Sequence, residues 1–245
     1  MEACAPNVDF DFTCFSKRSL IKIAKACNRM NCKNQKIDIK ADKETIYKQL
    51  QKVLGNKESN WLTLDFIKRL NDSQIDLLTF KPVPLKETDL FDTIKINEIM
   101  TQYNAKYPDF KFLGAQPSDI SRLIDFDYKY YKRAYDTLGI VFNNDIHTKA
   151  GSHWVAVYID NVLQTVEFFD SLGHPPNKYI LDFLKHFPKY TFTYNQTAHQ
   201  LPSSIQCGVY ACYFIIQRLK GISFETEKKI TEKEILKFRK TLFKY

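Results

Sequence analysis

Apolar positions recur at helical spacing near the start of the chain. In "SKRSLIKIAKACNRM" Leu20, Ile21, Ile23, Ala24 and Cys27 fall on one side of a 3.6-residue repeat, and in "ADKETIYKQLQKVLG" Ile46, Leu50 and Leu54 do the same, with Gly55 as a stop. "WLTLDFIKRLNDS" predicts a further short amphipathic helix, and "TFKPVPLKETD" a proline-punctuated loop. Residues 93–107 read as a helix ended by Pro108. The pattern then changes. "GIVFNND", "HWVAVYID" and "QTVEFFD" are short β-branched and aromatic runs stopped by Asn, Asp or Gly, and so predict strands. "YILDFLKHF" predicts a helix, "YTFTYNQ" a strand, and "CGVYACYFIIQRL" a central helix apolar on nearly every side. "TEKEILKFRKTLFKY" closes the chain as an amphipathic helix capped by a threonine. Helices at both ends of a mid-chain sheet predict an α+β fold.

Residues 1–15 lack periodicity and read as an irregular arm, so the expected division is an N-terminal helical extension over 1–57 and a second domain over 58–245. The hydrophobic content of 44% supports a sizeable core. No apolar run approaches the ~18 residues that a membrane-spanning helix needs. The N-terminal "MEACAPNVDFDFTCFSKRS" is not a signal peptide, so the six cysteines are expected as thiols in a reducing compartment, and the sequons at Asn71 and Asn195 as accidental. Cys4, Cys14, Cys27 and Cys32 match no zinc spacing, and neither metal nor cofactor is expected. The net charge of +8 fits a solvated basic surface or nonspecific nucleic-acid binding.

Three residues stand where chemistry could arise. His153 opens a predicted strand after the flexible "KAGS", and Asp170 ends the next one, seventeen residues on. If the two strands pair, Asp170 can accept the Nδ1–H of His153 and stabilise the imidazolium. Cys207 opens the apolar helix, where the helix N-terminus and an imidazolium favour a thiolate. Gly208 is expected to let a substrate carbonyl approach, with the Cys207 amide aimed at the developing oxyanion. A side-chain donor should complete that hole: Gln200, seven residues before Cys207, with Gln206 as the competitor. Cys212, inside the apolar helix, is expected to be inert.

"GSHWVAVYID", "FFDSLGHPP" and "Q…CGVY", in that order, resemble the clan of SUMO-specific and adenovirus-type cysteine proteases, the ubiquitin-like protease family, over roughly residues 58–245. Within it they are most similar to the polyprotein proteases of large DNA viruses, the African swine fever virus type among them. An N-terminal helical extension is also similar to what giant viruses carry. The resemblance implies a papain-like, adenovirus-protease-type core with a small mixed sheet. It implies His153 as general base and acid, Asp170 as orienter, Cys207 as nucleophile and Gln200 as oxyanion donor, with Trp154 packed beside the histidine. Many members place the glutamine six residues before the cysteine, where this chain has Leu201, and the adenovirus type tolerates seven. The implied activity is hydrolysis after small residues, Gly-Gly-X or Gly-X, in viral capsid or core precursors during particle maturation, in the virion or the host cytoplasm. The alternatives are an isopeptidase acting on ubiquitin-like modifiers, or a basic packaging protein without catalysis. The chain holds no Gly-Gly pair, so self-processing at such a site is not expected.

Overall fold

The computed structural model describes residues 4–6, 11–70, 72, 75, 80–82, 85–223 and 229–243. Parts of the expected helix over 61–73, of the loop over 79–89 and of the C-terminal helix lie outside the described residues. The chain forms two compact units, one within Met1–Lys81 and one spanning Pro82–Phe243.

In the first unit, α1 (Lys17–Arg29) starts where the Ser16 side chain accepts the Ser19 N–H, and α2 (Lys43–Leu54) where Asp42 accepts that of Thr45. Their apolar stripes bury Leu20, Ile23, Ala24 and Cys27 against Ile46, Leu50 and Val53. Gly55 leaves α2 at φ 93°, and its carbonyl accepts the Trp61 indole N–H at 2.8 Å. Two single-turn helices follow, α3 (Glu58–Trp61) and α4 (Asp65–Lys68). Trp61, Ile67 and Ile75 also belong to the core of this unit. Trp61 is fully buried, with its ring stacked on Phe15 at 5.5 Å. Trp61→Ala should therefore destabilise this unit by about 3–5 kcal/mol, read as an earlier unfolding transition.

The described residues of the arm are irregular, as expected, and partly buried. Cys4 bridges to Phe80, and Cys4, Cys14 and Phe15 are buried. The expectation of thiols throughout is corrected: Cys4 and Cys14, with Cα atoms 5.4 Å apart, form a disulfide. Cys27, Cys32, Cys207 and Cys212 are free. Cysteine usage therefore no longer argues for a reducing compartment.

The second unit is built on a five-stranded mixed sheet whose spatial order follows the chain: β1 (Phe110–Pro117), β2 (Thr137–Asn143), β3 (Trp154–Asp160), β4 (Thr165–Phe169) and β5 (Thr191–Tyr194). The β2–β3 and β3–β4 pairs are antiparallel, whereas β1 and β5 join in parallel at the two edges. Strand alternation divides the side chains between two cores. Val155, Val157 and Ile159 pack with Phe142, Phe168 and α7 (Lys178–Leu184). Ala156 and Tyr158 face α5 (Thr93–Lys106), the apolar α8 (Cys207–Leu219) and α9 (Glu232–Thr241). A short helix, α6 (Tyr128–Ala134), precedes β2. Burial on both faces of the sheet fixes the register, because a one-residue slip would exchange the two apolar sets. No described helix is long and apolar enough to cross a membrane.

Candidate active site

His153 stands one residue before β3, held at its carbonyl by the Asn144 N–H at 2.8 Å, which closes the loop leading out of β2. Asp170 stands one residue after β4. In the β3–β4 register Ala156 faces Phe169, so Asp170 reaches the start of β3. Asn195, just beyond β5, clamps the Asp170 backbone from both sides: its Oδ1 accepts the Asp170 N–H at 2.9 Å, and its Nδ2 donates to the Asp170 carbonyl at 2.6 Å. The Leu172 N–H donates to Asp170 Oδ1. Gly173 turns at φ 76°, where a Cβ would meet the Thr197 carbonyl carbon at 2.9 Å.

This frame places His153 Nε2 2.6 Å from Asp170 Oδ1, both side chains largely buried. The expected nitrogen is thereby corrected. The carboxylate takes Nε2 rather than Nδ1. The ring also interacts with the Cys207 thiol, for which Nδ1 remains. Burial alone would lower the imidazole pKa, but the hydrogen bonds and charges of Asp170 and Cys207 prevail and raise it to about 9. A second imidazole, that of the exposed His174, has its Nδ1 3.5 Å from Asp170 Oδ2.

Cys207 is the first residue of α8 and is 7% exposed. Cys212 lies one and a half turns further on, and complete burial holds its thiol far above the usual range. Gln200 is buried: its Oε1 accepts from Ser171 Oγ at 2.7 Å and one Nε2–H goes to the Ser204 carbonyl at 2.7 Å. That leaves one amide hydrogen for another acceptor. The competing Gln206 turns inward, donating Nε2–H to the Glu87 carbonyl at 3.2 Å and accepting from Arg239 at 2.7 Å.

A Cβ on Gly208 would sit 2.7 Å from Phe91 Cβ and 3.3 Å from the Trp154 ring, so its missing side chain admits Phe91. The Trp154 indole N–H in turn donates to the Phe91 carbonyl at 2.7 Å. Gly208→Ala should push this segment aside and cost about 1–3 kcal/mol, read as a lowered thermal midpoint. Phe91 and Asn195 were not legible as site residues. The one contacts the site across more than sixty residues of sequence, and the other carries only the signal of an asparagine after a strand.

A thiol opening a buried helix, beside an imidazole that a carboxylate orients, on a mixed sheet with helices packed on both faces, is the equipment of a cysteine-type peptidase. The chain belongs to the Ulp1 protease family, whose C-terminal catalytic domain it matches over residues 60–245. It is 32% identical to a protein of Acanthamoeba polyphaga mimivirus named as a thiol protease, across 87% of this chain and 82% of that one. It is 27% identical to a SUMO-1 cysteine protease of African swine fever virus, across 89% and 92%. The crystal structure of an African swine fever virus protease superposes with a TM-score of 0.65, covering 99% of this chain and 95% of that one at 22% identity, a likeness of fold.

Proposed function

We propose that this chain is a cysteine endopeptidase that cleaves after small residues, at Gly-Gly-X or Gly-X sites, in viral capsid or core precursors. The observation carrying the proposal is the His153–Asp170 pair at 2.6 Å, with the Cys207 thiol on the other side of the same ring. The viral relatives, matched over most of their length, support a role in viral protein processing.

In this reading the Cys207 sulfur attacks the scissile carbonyl carbon as a thiolate. The carbonyl oxygen becomes an oxyanion that receives the Cys207 N–H and the remaining Gln200 amide hydrogen. Collapse of the adduct breaks the C–N bond, and His153 donates its proton to the leaving amine. Water, deprotonated by the neutral His153, then attacks the thioester carbon and expels the sulfur as a thiolate. The imidazolium and thiolate are thereby restored. Asp170 holds the ring and its charge throughout.

The raised pKa of His153 sets the direction of the pH dependence. Above its ordinary 6.5 and below about 9 the folded protein holds a proton that the unfolded chain releases. The associated stability is complete below pH 6.5 and fades as pH rises through about 9. The folded protein loses its general acid as pH rises through about 9, so kcat/KM should fall on the alkaline side with a midpoint near 9.

The test is intact mass after incubation with ubiquitin and SUMO carrying a C-terminal alkylating electrophile, alongside a short peptide that ends in Gly-Gly and carries the same electrophile. An adduct on Cys207 with the peptide alone agrees with the proposal. Labelling by a full modifier reassigns the enzyme to isopeptidase work, and no adduct with any probe removes the nucleophile. The surplus of positive charge also suggests nonspecific nucleic-acid binding, in which case affinity for a random duplex should fall steeply as salt is raised.

A further inference from the structure

The helix that closes the second unit carries an arginine that no step above uses. Arg239 lies in the last turn of α9 and is 1% exposed. Its Nη1 donates to Gln206 Oε1 at 2.7 Å. Its Nη2 donates to the carbonyls of Lys86 and Asp89 at 2.7 and 2.9 Å, and the guanidinium lies 4.8 Å from the centre of the Phe91 ring. One planar cation thus grips the residue before the nucleophile and the segment that closes on the residue after it.

The direction of one amide hydrogen depends on this grip. The Gln206 carbonyl accepts the Tyr210 N–H at 2.9 Å, the first bond of α8, and so points along the helix. In a trans peptide the N–H of the next residue lies opposite that carbonyl. The Cys207 N–H therefore projects out of the helix N-terminus, and the orientation of Gln206 sets where it points. No side chain of its own caps α8 at Gln206. What fixes Gln206 is Arg239 on its Oε1, the Glu87 carbonyl on its Nε2, and Ser204 Oγ on its N–H. Ser204 is itself tied to α9, donating from Oγ to Glu232 Oε1 at 2.6 Å.

We infer that Arg239 is a positioning residue for catalysis, holding the Gln206–Cys207 peptide at the angle that offers its N–H to the oxyanion. This rests on the protease reading of the site. Arg239 touches neither substrate nor the reacting atoms. It acts through Gln206 on one side and through Phe91, which abuts Gly208 and Trp154, on the other.

The experiment compares Arg239→Lys, Gln206→Met and the double variant in the full chain. It records kcat and KM on a Gly-Gly-X peptide, the pH dependence of Cys207 alkylation by iodoacetamide, and thermal midpoints. Lysine keeps the charge but not the fork, and Gln206→Met serves if the arginine variant fails to fold. Each single variant should lose about 10- to 100-fold in kcat with KM within about twofold, because an oxyanion donor is used only in the transition state. The double variant should be no slower than the worse single one, because both changes release the same peptide. Alkylation should keep its pH profile, since His153 and Asp170 are undisturbed. A kcat within twofold of wild type at a lowered melting point would make Arg239 purely structural and overturn the inference. So would losses that multiply in the double variant, or an alkylation profile that collapses together with kcat. Wild-type protein that does not hydrolyse the peptide would instead fail the protease reading, and is distinguished by the unsubstituted control.

Discussion

Cys207→Ala abolishes peptide cleavage, with turnover lower by about 10⁴-fold or more, and leaves the thermal midpoint within a few degrees of wild type. The size follows from the sulfur being the atom that bonds to the substrate. The small effect on stability follows from geometry: Cys207 sits at the edge of the core, in the first turn of α8, and alanine is both smaller and a stronger helix former. Steady-state hydrolysis of a Gly-Gly-X peptide beside a melting curve checks both halves. Appreciable turnover in the alanine variant would remove Cys207 from the chemistry altogether.

Asp170→Asn comes next, with an expected loss in kcat of about 10²- to 10⁴-fold. The asparagine oxygen can still accept the Leu172 N–H and the His153 Nε2–H, so the ring stays in place. The negative charge is lost, and with it much of the stabilisation that lifts His153 to about 9. The alkaline limb of the kcat/KM profile should therefore move to lower pH as the rate falls. A slower enzyme whose alkaline limb stays near 9 would show that Asp170 acts by packing alone. Both parameters come from one set of pH–rate measurements.

The parts of the fold that were legible carry strong, uninterrupted patterns. β3, β4 and α8 are dense apolar runs with clear stops, and His153, Asp170 and Cys207 lie at the ends of those three elements. β1 was not read as a strand. Gly114 and Pro117 interrupt its pattern, and a register shift between Phe112 and Ala115 breaks its pairing with β2. α6, "YKYYKRA", went unread because aromatic and basic residues fill it without a stripe, and none of its residues is buried. The candidate residues His153, Asp170 and Cys207 stood out in the sequence by type and position, but the scaffold that holds them did not. Asn195 clamps Asp170 from twenty-five residues away. Arg239 looks like one more basic residue of an amphipathic helix until its neighbours are known. The packing of Gly208 against Phe91 joins segments far apart in the chain, which no local pattern reveals. Strand order alone does not contain which nitrogen of His153 faces Asp170.

The Cys4–Cys14 bridge gives the molecule two sulfur requirements of opposite sign. Its ten-residue spacing makes it a short-loop staple of the arm, of a kind that contributes about 2–4 kcal/mol by restricting the unfolded chain. In the proposed mechanism Cys207 must stay reduced, and an oxidant that preserves the staple also threatens a free thiol with conversion to sulfenic acid and beyond. Dithiothreitol added to protect the nucleophile will therefore act on the arm as well. The redox poise of the buffer sets both states at once, and peptide turnover and the melting of the first unit should respond to it along two separate titration curves.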